Sequence, residues 1–235
     1  MFQYPTLSRP FIWAHRGSSA LLPENSLAAF HRAIRDGADG IECDLQLTRD
    51  KEVVILHDET LERTTQAQGL VSEWLWADLQ SVPLKGDPAL RVPRLADLLA
   101  MAAPPTALNL EIKDPSPLLV DRVLEMVRDY GLGDRVLLSS FHHPQLHYAL
   151  AQDPDIAVAA LYSARLLDPA AVARSVPCSI LHMDREYTPA EDLLKLRACH
   201  IHTGIYGIHS YSHYERARRN GATAVFLDDP LWAVQ

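Results

Sequence analysis

Residues 40–58 read GIECDLQLTRDKEVVILHD, and the length of one interval inside them decides the fold. GIECDLQL (40–47) and VVILH (53–57) are both β-favouring runs. The interval TRDK (48–51) is too short for the crossover helix that a parallel neighbour needs. The second run is therefore expected to return antiparallel to the first, as a hairpin. This matters because nine β-favouring runs occur along the chain, the others at 11–15, 108–113, 136–140, 156–162, 179–184, 201–208 and 224–228. Setting the hairpin's return strand aside leaves eight, the number that closes a (β/α)8 barrel.

Working outward, helix-length segments with apolar spacing near 3.6 lie between most of these runs, at 24–36, 117–130, 143–152, 189–199 and 211–220. Alternating strands and helices predict an α/β chain with a parallel sheet covered by helices. The expectation is one domain over residues 1–235, a (β/α)8 TIM barrel. A short insertion at 61–90, holding TTQAQG and two tryptophans, follows the early hairpin, and the barrel resumes near Pro93. A doubly wound open sheet is the alternative, but no GxGxxG follows an early strand.

Composition narrows the function classes. Apolar residues make up 48% of the 235, and no uncharged apolar run reaches the roughly eighteen residues of a membrane span. A formal charge of −8 disfavours a protein that coats nucleic acid. It leaves room for a small anionic substrate, because local Arg, Lys or a bound cation reverses the sign inside one pocket. Three scattered cysteines, Cys43, Cys178 and Cys199, form no CxxC pair and no disulfide framework, and are expected to be reduced and buried. The start MFQYPTLSRP lacks the pattern of a signal peptide, which points to a cytoplasmic location without stable membrane association.

In a barrel of this kind the active site gathers at the carboxyl ends of the strands. His15 and Arg16 end the first strand. Glu42 and Asp44, two apart on the second, share a face while Cys43 takes the other. Adjacent buried carboxylates repel one another and lose hydration, so they need protons, ion pairs or a cation. The hairpin would bring His57 back to the level of these acids. In LNLEIK (108–113), Glu111 and Lys113 again share one face. Three carboxylates, Glu42, Asp44 and Glu111, describe a site for one hard divalent cation, Mg2+ or Ca2+, rather than a zinc site. Arg16 and Lys113 add positive charge suited to a phosphate oxyanion, or merely neutralise the acids in ion pairs. His15 and His57 supply the base and the acid that phosphodiester cleavage needs.

Taken jointly, HRG (15–17), PENSLAAF (23–30), GADGIECDLQLTRD (37–50), VVILHDETLERTT (53–65), LNLEIK (108–113) and SSF (139–141) resemble the glycerophosphodiester phosphodiesterase family. The resemblance is nearly continuous over the first 65 residues and thins afterwards. It implies a barrel, a divalent metal on Glu42, Asp44 and Glu111, a catalytic pair of His15 and His57, and phosphate contacts from Arg16 and Lys113. The implied reaction is hydrolysis of a glycerophosphodiester, the small-molecule partner, to glycerol 3-phosphate and an alcohol. By the same analogy His15 is the base and His57 the acid, an order that the residues themselves leave open. Gly17 is expected to let the chain turn over the barrel mouth. Asn25 is a candidate cap for the helix beginning SLAAF, and Glu24 a candidate brace for His15 or Arg16.

The chain departs from the family near its C-terminus. Where relatives carry an aromatic-Thr-Val-Asn stretch, spacing from Gly221 places Tyr206, Gly207, Ile208 and His209 here. The aromatic is kept, and Phe141 and Tyr206 are expected to wall the glycerol or alcohol group. The histidines at 142, 143, 147, 200, 202, 209 and 213 show no HExxH spacing and suggest no second metal. Trp74 and Trp76 are expected to pack the insertion onto the barrel. Two other readings stay open at this point: a phospholipase D-like hydrolase of lysophospholipid or sphingolipid headgroups, and a non-catalytic barrel that binds phosphodiesters. Neither the headgroup nor an oligomeric state is encoded in these patterns.

Overall fold

Strand β1 (Phe11–His15) pairs in parallel with β2 (Gly40–Leu47) on one side and with β9 (Ala224–Leu227) on the other, and this double pairing closes the sheet. The computed structural model describes residues 1–234. Around the barrel the order continues from β2 through β4 (Ala107–Ile112), β5 (Val136–Ser140), β6 (Ala157–Tyr162), β7 (Ile180–Asp184) and β8 (His202–Ile208) to β9, every pair parallel. The ninth strand among the described residues, β3 (Val53–Ile55), pairs antiparallel with the last residues of β2. The eight-stranded barrel and its hairpin therefore stand as the sequence predicts.

The hairpin has a particular place. β2 meets β1 only at Gly40, Ile41 and Glu42, and its C-terminal half runs on past the end of β1. Arg16 N donates to the Glu42 carbonyl at 3.0 Å and Leu56 N to the Asp44 carbonyl at 3.0 Å. Alternate carbonyls of one strand face one edge, so β3 takes over the edge that β1 vacates. His57 is thereby delivered above His15.

Helices α1 (Leu27–Arg35), α2 (Trp76–Leu79), α3 (Leu95–Met101), α4 (Pro117–Asp129), α5 (His143–Gln152), α6 (Pro169–Ser175), α7 (Ala190–Ala198), α8 (Tyr211–Arg219) and α9 (Leu231–Val234), with short 3-10 helices at Val71–Glu73 and Arg185–Tyr187, complete the described elements. α4 shows why such segments are helical: Ser116 accepts from Leu118 N as its cap, Pro117 opens the first turn, and Leu119, Val120, Val123, Leu124 and Val127 form one buried stripe. That stripe joins the apolar layer between helices and sheet, which also takes Ile41, Cys43 and Leu45 from the outward face of β2. Cys43 thus points away from the acids, as alternation requires. Cys199, expected to be buried, is exposed, because it follows the last residue of α7 on the barrel's outer surface; Cys178 is half-buried.

Residues 61–90 hold a separate small core of Leu61, Val71, Leu79, Val82 and Leu84, which shares Val54 and Leu56 with the hairpin. Trp74 and Trp76 pack against it, and Arg94 lies 5.2 Å from the Trp76 ring. At the opposite end of the barrel the N-terminal residues act as a plug. Phe2, Phe11 and Trp13 fill the interior with Phe226, and Trp13 Nε1 donates to Tyr4 Oη at 3.0 Å. Among the described residues no helix is long and apolar enough to cross a membrane.

Candidate active site

The registers of three neighbouring strands set one layer of polar groups at the barrel mouth. His15 stands opposite Glu42, and Asp44 opposite Glu111. The carboxylates of Glu42, Asp44 and Glu111 are all buried and offer oxygens within 4.8 Å of one another, the one group of this kind found among the described residues. Glu42 and Glu111 line a cavity of about 340 Å³ together with His15, Arg16, His57, Lys113, Phe141 and Tyr206, while Asp44 is buried beside them on Arg16 and Lys113. Of the residues expected from the sequence to form the site, all but Asp44 line this cavity, and Asp44 lies buried against Glu42 and Glu111.

Each histidine is held by a carboxylate. His15 Nδ1 lies 2.7 Å from Asp228 Oδ1, which also accepts from Ser19 Oγ at 3.2 Å. His57 Nδ1 lies 2.7 Å from Asp58 Oδ1, and its Nε2 is 3.2 Å from Lys113 Nζ. An Nδ1–H tautomer satisfies both contacts and leaves Nε2 of each ring as the acceptor nitrogen. Lys113 also donates to Glu111 Oε1 at 2.9 Å and stands 3.6 Å from Asp44 Oδ1.

The turn after β1 is built on left-handed backbone, with φ of 57° at Arg16 and 82° at Gly17. A Cβ on residue 17 would sit 2.6 Å from the Ala29 carbonyl carbon, so only glycine lets the turn rest on α1. The turn aims Arg16 N at Glu42 Oε2, 3.0 Å away, and places Arg16 Nη1 on Glu24 Oε1 at 2.9 Å. Glu24 therefore braces Arg16 and not His15. Arg16 Nε lies 3.3 Å from Asp44 Oδ2, out of line for a hydrogen bond.

Asn25 does not cap α1. Ser26 does, accepting from Ala29 N, while Asn25 has a left-handed φ of 57° that is incompatible with the extended cap position. Its buried amide instead donates to Asp44 Oδ2 at 2.8 Å. Arg63 was not anticipated either: it grips Glu24 through Nη1 at 2.7 Å and Nη2 at 2.8 Å, and also binds Asp58. An unbroken chain of ion pairs thus links the His57 loop to the Arg16 loop.

Burial and charge divide the carboxylates. Burial, and then the neighbouring Asp44 charge, push Glu42 up to about 8. Burial also raises Glu111. Burial opposes the ionised form of Asp44 as well, but Arg16, Lys113, His57 and the Asn25 hydrogen bond outweigh it and hold Asp44 below its ordinary value. Burial disfavours the His15 imidazolium, yet Asp228 and Glu42 raise it overall; burial lowers His57. A buried Glu42 reluctant to ionise beside two further acids is the setting in which a divalent cation restores balance, and the all-oxygen donor set fits Mg2+ or Ca2+.

The far wall of the cavity is aromatic, with the Phe141 and Tyr206 rings 6.3 Å apart at 80° and Tyr206 Oη bonded to the Tyr162 carbonyl. His209 is exposed at the rim. Asp228, Asp58, Arg63 and Asp184 are site residues that the sequence reading passed over. Asp228 follows the last residue of β9 just as His15 ends β1, so the strand-end rule applied to FLDD would have found it.

A sequence model of the glycerophosphoryl diester phosphodiesterase family matches residues 15–231. A glycerophosphodiester phosphodiesterase of Bacillus altitudinis is 34% identical over 185 residues, covering 73% of this chain and 74% of that protein. One from Caldanaerobacter subterraneus subsp. tengcongensis is 32% identical over 186 residues, covering 74% and 75%. Among solved structures, an Oleispira antarctica phosphodiesterase in complex with its product sn-glycerol-3-phosphate superposes with a TM-score of 0.90 at 27% identity, over 95% of this chain and 94% of that one. By matched sequence and shared barrel alike, this chain belongs to the glycerophosphoryl diester phosphodiesterase family.

Proposed function

We propose that this chain hydrolyses soluble glycerophosphodiesters to glycerol 3-phosphate and an alcohol, with one divalent cation on Glu42, Asp44 and Glu111 and with His15 and His57 as the proton-transfer pair. The observation that carries this reading is the single layer in which three buried carboxylates are flanked by two imidazoles, each with its Nδ1 on an aspartate. When bound, the cation supplies charge that polarises the phosphoryl oxygens. Arg16 and Lys113 hold the anionic phosphate beside it. One histidine takes a proton from the attacking water, or from the substrate's glycerol hydroxyl to give a cyclic phosphodiester that water then opens, as the new P–O bond forms. The other returns a proton to the alkoxide as the old P–O bond breaks, so the alcohol leaves neutral and glycerol 3-phosphate leaves as the anion. Asp228 and Asp58 keep the two rings in the tautomer and orientation that this exchange requires. Asn109 Oδ1 and Ser139 Oγ, buried on the cavity wall with no partner among the described residues, are suited to receive substrate hydroxyls or water.

Release of glycerol 3-phosphate from a substrate panel, measured with Mg2+, with Ca2+ and with EDTA, tests the proposal. Turnover is expected with metal and lost with EDTA, and His15→Ala and Glu42→Ala are each expected to lower kcat by about 10²-fold or more. Full turnover in EDTA, or none with either metal, would reject it.

A further inference from the structure

The strand order places β7 and β8 directly across the barrel from β2 and β4, which carry the carboxylate layer. On that opposite wall stands Asp184, the last residue of β7, beside Tyr206 in register. It lines the same cavity as Phe141, Tyr206 and His57. Its Oδ1 accepts from Glu186 N at 2.7 Å, a local capping bond. Among the described residues no Lys, Arg or His nitrogen comes within 4 Å of its carboxylate, and the adjacent Arg185 turns its Nε to the Gly207 carbonyl at 3.0 Å instead. Gly207 keeps the carboxylate open. The chain bulges between Ile205 and Ile208, with φ of 74° at Gly207, and a Cβ there would lie 3.4 Å from Asp184 Oδ1.

The cavity thus has two unlike walls. Arg16 and Lys113 stand on the side suited to phosphate, while an unneutralised carboxylate and two aromatic rings stand on the other. A carboxylate beside aromatic faces is a setting that favours an organic ammonium ion over a neutral or anionic group. We infer that Asp184, with Phe141 and Tyr206, selects zwitterionic glycerophosphodiesters, those whose alcohol carries an ammonium group. This rests on the phosphodiesterase reading above and names its substrate class.

The test compares kcat/KM for glycerophosphoethanolamine with that for the uncharged-headgroup substrate glycerophosphoglycerol, in wild type and in Asp184→Asn. Asparagine keeps an oxygen for the Glu186 amide, so the variant changes charge and not the cap. Wild type is expected to favour the ammonium substrate by about tenfold, and the ratio is expected to fall to near one in Asp184→Asn. A wild-type ratio near one, or a preference that survives Asp184→Asn, overturns the assignment while leaving the phosphodiesterase reading intact. If neither substrate turns over, that reading itself fails and the assignment goes with it.

Discussion

Asp228 and Asp58 give the two histidines unequal surroundings. Asp228 is held below its ordinary value, since the His15 hydrogen bond and charge outweigh burial, and it keeps the ring aligned across the seam where β9 meets β1. Asp58 is lowered to about 2, its Arg63 and His57 hydrogen bonds overcoming burial. Replacing Asp228 with asparagine leaves the shape but permits the opposite His15 tautomer, with Nε2 protonated and unable to accept. Asp228→Asn is therefore expected to reduce kcat by about 10²-fold with folding unchanged, which steady-state kinetics alongside circular dichroism will check. An unaltered kcat would leave Asp228 with a packing role only. The partner of His15 is 213 positions away in the chain, so its identity depends on barrel closure. Glu42, Asp44 and Glu111 were legible because their spacing along single strands already fixes a shared face. Arg63 was not, because its role arises only when the insertion folds back over Glu24.

At the scale of elements, the short interval at 48–51 was enough to identify a hairpin, and the hairpin enough to fix the strand count. The start of α1 was harder to read, because Asn25 and Ser26 are adjacent and both are good caps. Backbone conformation settles it: the close seating of Gly17 on α1 and the Asn25 N to Arg16 carbonyl bond at 3.0 Å hold Asn25 in the left-handed region. The same seating makes the loop sensitive to one methyl group. Gly17→Ala combines a left-handed alanine with a backbone clash and is expected to cost about 3 kcal/mol, a fall in Tm of roughly 6–12 °C. Calorimetry on wild type and variant measures this directly, and a much smaller fall would show that the loop yields without leaving its place.

The whole barrel closes over a floor that is not purely apolar. His182 on β7 faces inward at 0% exposure, 4.8 Å ring to ring from Phe226, with Nε2 3.4 Å from Tyr4 Oη and Nδ1 without a partner among the described residues. Alternation in ILHMD puts His182 on the same face as Asp184, a residue the sequence reading passed over, and only the packing of the N-terminal plug shows that this position is sealed from water. Burial depresses its pKa from 6.5 to about 3. The folded state therefore keeps His182 neutral where the unfolded chain takes up a proton, so the stability it carries is complete above about pH 6.5 and is lost as pH falls toward about 3. At pH 5 the loss amounts to about 2 kcal/mol, a large share of a typical domain's margin. Because other buried groups also change protonation with pH, the contribution is isolated by comparison with His182→Leu, which keeps an apolar floor but cannot take up a proton. Urea unfolding of both proteins at pH 7.5 and pH 5 is expected to show the stability difference, wild type minus variant, falling by about 2 kcal/mol on acidification. Parallel pH dependence in the two proteins would mean that His182 is reached by water, and that the plug formed by Phe2 and Tyr4 opens more readily than its packing implies.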